Sequence, residues 1–179
     1  MTQQHNKTRT CFVLGGARSG KSAFAETLAK KIAADTRKLV YVATAQIFDD
    51  EMRKRVDLHQ ERRGPEWTLC EAPIDLCNTL RKCDTQDHVI LVDCLSIWTT
   101  NLLLAEHDLE AARQELKDHL AKNISSIIFV ASETGLGIVP DNALSRRFRD
   151  ESGLLNQQVA SVADEVFFVT AGIAQQIKP

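Results

Sequence analysis

The segment Gly15-Gly16-Ala17-Arg18-Ser19-Gly20-Lys21-Ser22 constrains this chain more than any other. An apolar run, Cys11-Phe12-Val13-Leu14, ends at its glycine pair, and from Ala23 to Ala34 apolar residues recur at helical spacing. A strand, a glycine-rich loop and a helix in that order make a phosphate-binding loop. The glycines let backbone N–H groups turn toward phosphate oxygens. Lys21 supplies a point charge for the terminal phosphates, and the Ser22 hydroxyl is a hard oxygen ligand for Mg2+. Arg18 either touches phosphate or stands in solvent, and spacing alone does not decide between them.

The rest of the chain alternates. Strands are predicted over Leu39–Thr44, Trp67–Cys70, His88–Asp93, Ile127–Ala131 and Glu165–Thr170, the last full strand. Helices are predicted from Asp49-Asp50-Glu51 to about Arg63, where Gly64-Pro65 stops the run, and over Ile74–Arg81, Leu95–Leu104, Leu109–Lys122 and Asn142–Ala163. This alternation implies an α/β fold, a mostly parallel sheet flanked by helices. No linker, low-complexity tract or repeat divides it, so residues 1–10 read as a polar tail and 11–179 as a single domain. His88 to Asp93 is an apolar run ending in an acid, as buried parallel strands often do. Asp93 then lies at the carboxyl edge of the sheet, where it can orient a metal directly or through water and also cap the helix that follows.

Bulk properties exclude several classes. Lys plus Arg total 22 against 24 for Asp plus Glu, a net charge of −2 that gives no surface built for polyanions, so nucleic acid is a poor partner. The 5 cysteines, Cys11, Cys70, Cys77, Cys83 and Cys94, form no CxxC pair and suggest neither a disulfide framework nor a zinc site, which fits a reducing cytoplasm. Met1–Thr10 lacks the apolar core of a signal peptide, and no apolar run approaches a membrane span. A cytoplasmic, soluble protein is expected.

On the helix ending at Arg63, Arg55, His59 and Arg63 recur every four residues along one face. Flanking guanidiniums favour the neutral imidazole, whose ring nitrogen can attack, and attract phosphate groups to it. By pattern alone an ordinary solvated face is the commoner meaning of such a series. His5, His88, His107 and His119 stand in a tail, at a strand start and on apparently exposed helices, and receive no role.

Three stretches taken together alter that balance: GGARSGKS from Gly15, YVATAQIFDDEMRKRVDLHQERRGPEWTLCEAP from Tyr41, and GLGIVPDNALSRRFRDESGLLNQQVASVADEVFFVTAGI from Gly135. With the strand VILVDCLSIWTTNLL, they resemble the bifunctional adenosylcobinamide kinase and adenosylcobinamide-phosphate guanylyltransferase family of cobalamin biosynthesis over nearly the whole chain. The resemblance implies a RecA-like P-loop fold, a homotrimer, and His59 as the residue that accepts GMP from GTP. It places nucleotide contacts at Gly15 to Ser22, at Ala43, Thr44 and Ala45, at Gln60, Glu61, Arg62 and Arg63, and at Glu71 and Asp93.

The chemistry it implies is phosphorylation of adenosylcobinamide by ATP or GTP, followed by GMP transfer onto the phosphate to give adenosylcobinamide-GDP and pyrophosphate. Lys21 and Mg2+, held by Ser22 and Asp93, would serve the polyphosphate. Ser132-Glu133-Thr134 departs from the Asn-Glu-Val common in relatives, and the stretch around Glu106 to Glu110 is shortened. Trp67 and Trp98 can contact a corrin ring but are more often core. Arg146, Arg147 and Arg149 can bind phosphate, although an exposed face paired with Asp150 and Glu151 is the expected role. Alternatives are a P-loop kinase of a small alcohol or nucleotide without guanylyl transfer, and a nucleotide-switched binding module or DNA motor.

Overall fold

Thr10–Gly15 is buried along its whole length. A strand covered on both faces needs a continuous apolar run rather than an alternating one, and β1 (Thr10–Gly15) is such a run. The computed structural model describes residues 8–46 and 64–179. Along the chain follow α1 (Lys21–Ala33), β2 (Lys38–Ala43), β3 (Trp67–Glu71), α2 (Leu76–Cys83), β4 (His88–Asp93), α3 (Leu95–Leu104), α4 (Leu109–Leu120), β5 (Ser126–Ser132), α5 (Ala143–Val162), β6 (Glu165–Thr170) and β7 (Ile173–Lys178). The expected helix from Asp49 to Arg63 lies outside the described residues.

The described strands form one sheet in the order β3-β2-β4-β5-β1-β6-β7. Neighbours from β3 through β6 are parallel, and β7 runs antiparallel to β6. One face of the sheet packs on α1, which buries Ala25, Ala29 and Ala33 at four-residue spacing against Val13, Tyr41, Leu91 and Val130. The other face is covered by Leu76 and Leu80 of α2, Leu95, Trp98 and Leu102 of α3, Leu116 of α4, and Leu155 and Val159 of α5. The α/β sheet flanked by helices is therefore observed as expected.

The strand at Glu165–Thr170 is not the last, and this corrects the reading of the sequence. β7 escapes a periodicity search because its outer positions are Gln175, Gln176 and Lys178, and it pairs on one side only. Ala171 and Gly172 join the two strands with φ values of 53° and 80°. Two consecutive residues at positive φ are what a tight hairpin turn requires. Ala171 replaces the usual Asn or Asp, which is why the turn carries so weak a signature.

β1 sits between β5 and β6, whereas the next strand in sequence, β2, pairs with β3 and β4 on the far side of the sheet. Connections therefore diverge at the carboxyl end of β1. In open parallel sheets that divergence leaves a crevice where ligands bind.

Candidate nucleotide site

The phosphate loop occupies that crevice. Gly15 to Ser22 spans the end of β1, the turn and the first residues of α1. Ser19 N–H donates to the Gly16 carbonyl at 3.3 Å, and the Lys21 ammonium reaches back to the same carbonyl at 3.1 Å. The lysine is thus folded along the arch and half-buried, within reach of anything the loop encloses. Gly20 precedes α1 with φ 94°, and the first turn of the helix carries no acidic side chain. Its positive dipole end is left for an anion.

Two glycines are required by space. A Cβ on Gly15 would lie 2.5 Å from the Val169 carbonyl oxygen and 2.5 Å from Ser19 Oγ. One on Gly20 would stand 3.2 Å from Gly172 Cα, in a backbone conformation that L side chains rarely adopt. The β6–β7 turn therefore packs directly on the loop, and Gly172 N–H donates to the Ser19 carbonyl at 2.8 Å. On the other flank Glu133 N–H donates to the Gly15 carbonyl at 3.1 Å. Between the flanks lies an open cleft of about 400 Å³, lined by Ala17, Arg18, Glu133, Leu136, Phe168 and Thr170. Sequence reading did not foresee the hairpin's contribution. Arg18 is exposed, at φ 56°.

The other residues implicated by resemblance fall into a row. Glu71 pairs in register with Ala43, Ala43 with Asp93, Asp93 with Val130, and Val130 with Val13. At about 4.8 Å per strand, Glu71 stands roughly 19 Å across the sheet from β1. Glu71 is exposed, Asp93 half-buried and Thr44 fully buried. The structure thus brings Gly15 to Ser22, Ala43, Thr44, Ala45, Glu71 and Asp93 to one edge. His59, Gln60, Glu61, Arg62 and Arg63 lie outside the described residues.

The Tyr41 hydroxyl donates to Asp93 Oδ2 at 3.1 Å. Tyr41 was not singled out in the sequence. Its ring is buried and meets Trp67 edge-on, with centroids 5.9 Å apart. Beside Asp93, burial first and the Asp93 charge second push the Cys94 thiol up to about 12, while Lys21 opposes the shift. Cys94 is accordingly a neutral packing group, not a nucleophile.

Among the described residues no group of three or more His, Cys, Asp or Glu side chains is placed to hold a metal. The Ser22 hydroxyl and the Asp93 carboxylate still suit Mg2+, which favours hard oxygens and commonly takes one or two protein ligands with phosphates completing the shell. Trp98 is 2% exposed and donates its ring N–H to the Ile74 carbonyl at 2.7 Å, so it belongs to the core. The arginine face of α5 differs from expectation. Arg146 donates to the Pro140 and Asp141 carbonyls and Arg149 to that of Gly135, while Glu151 pairs with Arg113 of α4. These guanidiniums hold the loop before α5. His119 is half-buried, and burial lowers its pKa.

All the described cysteines are free thiols, and no helix among the described residues is long and apolar enough to cross a membrane. Solved structures share the fold. The ATPase domain of a helicase matches with a TM-score of 0.51 at 13% identity, covering 89% of this chain and 68% of that one. The flagellar accessory protein FlaH from Methanocaldococcus jannaschii matches with a TM-score of 0.52 at 13% identity, covering 95% and 78%. The fold is that of a P-loop ATPase.

Sequence relatives are closer. The bifunctional adenosylcobalamin biosynthesis protein CobP of Pseudomonas aeruginosa is 44% identical over 168 residues, 93% of this chain and 95% of that protein. The bifunctional adenosylcobalamin biosynthesis protein CobU of Salmonella typhimurium is 37% identical over 181 residues, 93% and 98%. A family profile described as cobinamide kinase / cobinamide phosphate guanyltransferase matches residues 11–177. With this phosphate loop, the chain belongs to the cobinamide kinase / cobinamide phosphate guanyltransferase family.

Proposed function

We propose that one sheet edge serves both reactions of this bifunctional enzyme: phosphorylation of adenosylcobinamide with ATP or GTP, then transfer of GMP from GTP onto the resulting phosphate. The observation that carries this reading is the shared edge itself, which aligns the phosphate loop with Ala43, Asp93 and Glu71. A nucleotide whose polyphosphate rests on Gly15 to Ser22 can extend along the row toward Glu71. In the first reaction the acceptor hydroxyl attacks the γ-phosphorus, and the bond from that phosphorus to the β–γ bridging oxygen breaks.

In the second reaction His59 attacks the α-phosphorus of GTP, pyrophosphate leaves, and the phosphate of the corrinoid then displaces histidine from GMP. Two displacements replace one difficult transfer. His59 and its neighbours Gln60 to Arg63 enter on sequence resemblance. Lys21 neutralises charge that develops on the leaving pyrophosphate. Ser22 and Asp93 would hold Mg2+, which supplies further charge neutralisation on the phosphate oxygens. We assign the protein to the cytoplasm and its working assembly to a homotrimer of single-domain subunits.

GTP labelled at the α-phosphate tests the scheme. Label should remain on denatured protein, be lost in acid and survive alkali, as a phosphoramidate does, and vanish in His59→Asn. Acid-stable label, or label that persists in His59→Asn, would eliminate the histidine intermediate.

A further inference from the structure

Asn101 is the one amide side chain on α3, Leu95 to Leu104, and is only 3% exposed. The helix's threonines, Thr99 and Thr100, turn their hydroxyls back to carbonyls of the same helix. Asn101 instead reaches outward, because a buried amide must use its donors. Asn101 Nδ2 donates to the Thr44 carbonyl at 2.8 Å and to the Pro73 carbonyl at 2.9 Å. Because both partners are acceptors, the chemistry itself fixes which end of the amide faces them. Thr44 and Pro73 are not neighbours in sequence. The first follows β2 and the second follows β3, so a single side chain from the helix beneath ties the outgoing ends of two strands together.

A second buried group extends the tie. Thr44, with 0% exposure, donates its hydroxyl to the Cys94 carbonyl at 2.8 Å and accepts from Cys94 N–H at 2.9 Å. The end of β4 is thereby joined to the other two. The three strand ends carry Ala43 to Ala45, Glu71 and Asp93, while the phosphate loop is held by a different set of bonds, from Glu133 and Gly172.

We propose that Asn101 is a positioning residue for guanylyl transfer: it locks the ends of β2 and β3, and through Thr44 that of β4, into the arrangement that receives the guanosine end of GTP. The proposal rests on the reading that this row receives that end. Replacing the amide by an apolar side chain leaves two carbonyls unsatisfied at this edge, and they recover partners only if the strand ends move toward water. The phosphate loop, held separately, stays in place.

Asn101→Leu preserves size while removing both donors. Leu102→Ala, in the adjacent buried position, is a core cut that weakens the same helix without touching the tie. The expected result for Asn101→Leu is a rise of at least about tenfold in the GTP concentration needed for α-label incorporation, with ATP-driven phosphorylation of the corrinoid within about threefold of the parent. Hydrogen exchange should accelerate in residues 43–46 and 72–76 and stay unchanged in 15–22. Leu102→Ala should lower both reactions in proportion.

Proportional loss of both reactions in Asn101→Leu would overturn the proposal, as would unchanged exchange in the two segments. Parent protein that takes no α-label refutes the two-reaction scheme instead. The exchange measurement then still decides whether the tie exists.

Discussion

The Tyr41 hydroxyl holds one oxygen of the Asp93 carboxylate at 3.1 Å across the β2–β4 pair. Both side chains project from adjacent strands two residues out of register, since Ala43 is the partner of Asp93. Tyr41 belongs to the core face covered by α1, so the hydroxyl is the polar tip of a packed ring. Asp93 is oriented by a residue that cannot itself move.

Removing that hydroxyl should loosen the carboxylate without emptying the core. A hydrogen bond to a charged acceptor contributes about 1.5–3 kcal/mol, so Tyr41→Phe should raise the Mg2+ concentration for half-maximal phosphorylation about tenfold. Circular dichroism should show the fold retained. An unchanged Mg2+ dependence would mean that Asp93 needs no help from Tyr41 or does not serve the metal.

Gly15→Ala drives a methyl group into the Val169 carbonyl and Ser19 Oγ, each 2.5 Å away. The backbone oxygen cannot swing aside, so β1 or β6 must shift. Overpacking of this kind costs about 1–3 kcal/mol, and affinity for a fluorescent ATP analogue should fall more than about tenfold. Gly16→Ala meets nothing within 4 Å and should leave the melting temperature unchanged. Equal stability of the two variants would show that the loop is looser than its packing implies.

Alkaline stability should be governed by the thiols. Burial is the first cause in every case that raises Cys11, Cys77 and Cys94 to about 12 and Cys83 to about 11 from an ordinary value of 9.0. A raised folded pKa means that the unfolded chain loses these protons first. The stabilisation is fully present below about pH 9 and is lost progressively as pH rises toward the folded values. Urea unfolding at about pH 7, 9 and 10.5 should show a declining midpoint, and Cys94→Ala should decline less steeply than its parent. Identical slopes would remove Cys94 from the effect.

What the sequence conveyed follows from the range over which each signal acts. The phosphate loop is local: strand, glycines, lysine and helix lie within about a dozen consecutive residues, and all stand where periodicity placed them. β4 and β6 were bounded correctly because apolar runs report burial on both faces. β7 was not, since an edge strand with a polar outer side has no such run. The arginines of α5 were paired in expectation with acids close in sequence, but Arg146 and Arg149 bond to carbonyls of the preceding loop. A hydrogen-bond partner is a matter of three-dimensional placement. Asn101 did leave a trace, a lone amide ahead of three leucines, yet its acceptors lie 57 and 28 residues away.

The position of β1 has a consequence for biosynthesis. It carries the phosphate loop and emerges first among the described strands, but its two partners are β5 and β6, and Thr10 bonds to Asp164, 154 positions further along. At the usual synthesis rate of about 5–20 residues per second, the loop waits on the order of ten seconds or more for the strands that frame it. Until β6 leaves the ribosome, nucleotide has no finished cradle to enter. Ligand can therefore act on this chain only as a late clamp, rewarding completed molecules and offering no shelter to nascent ones.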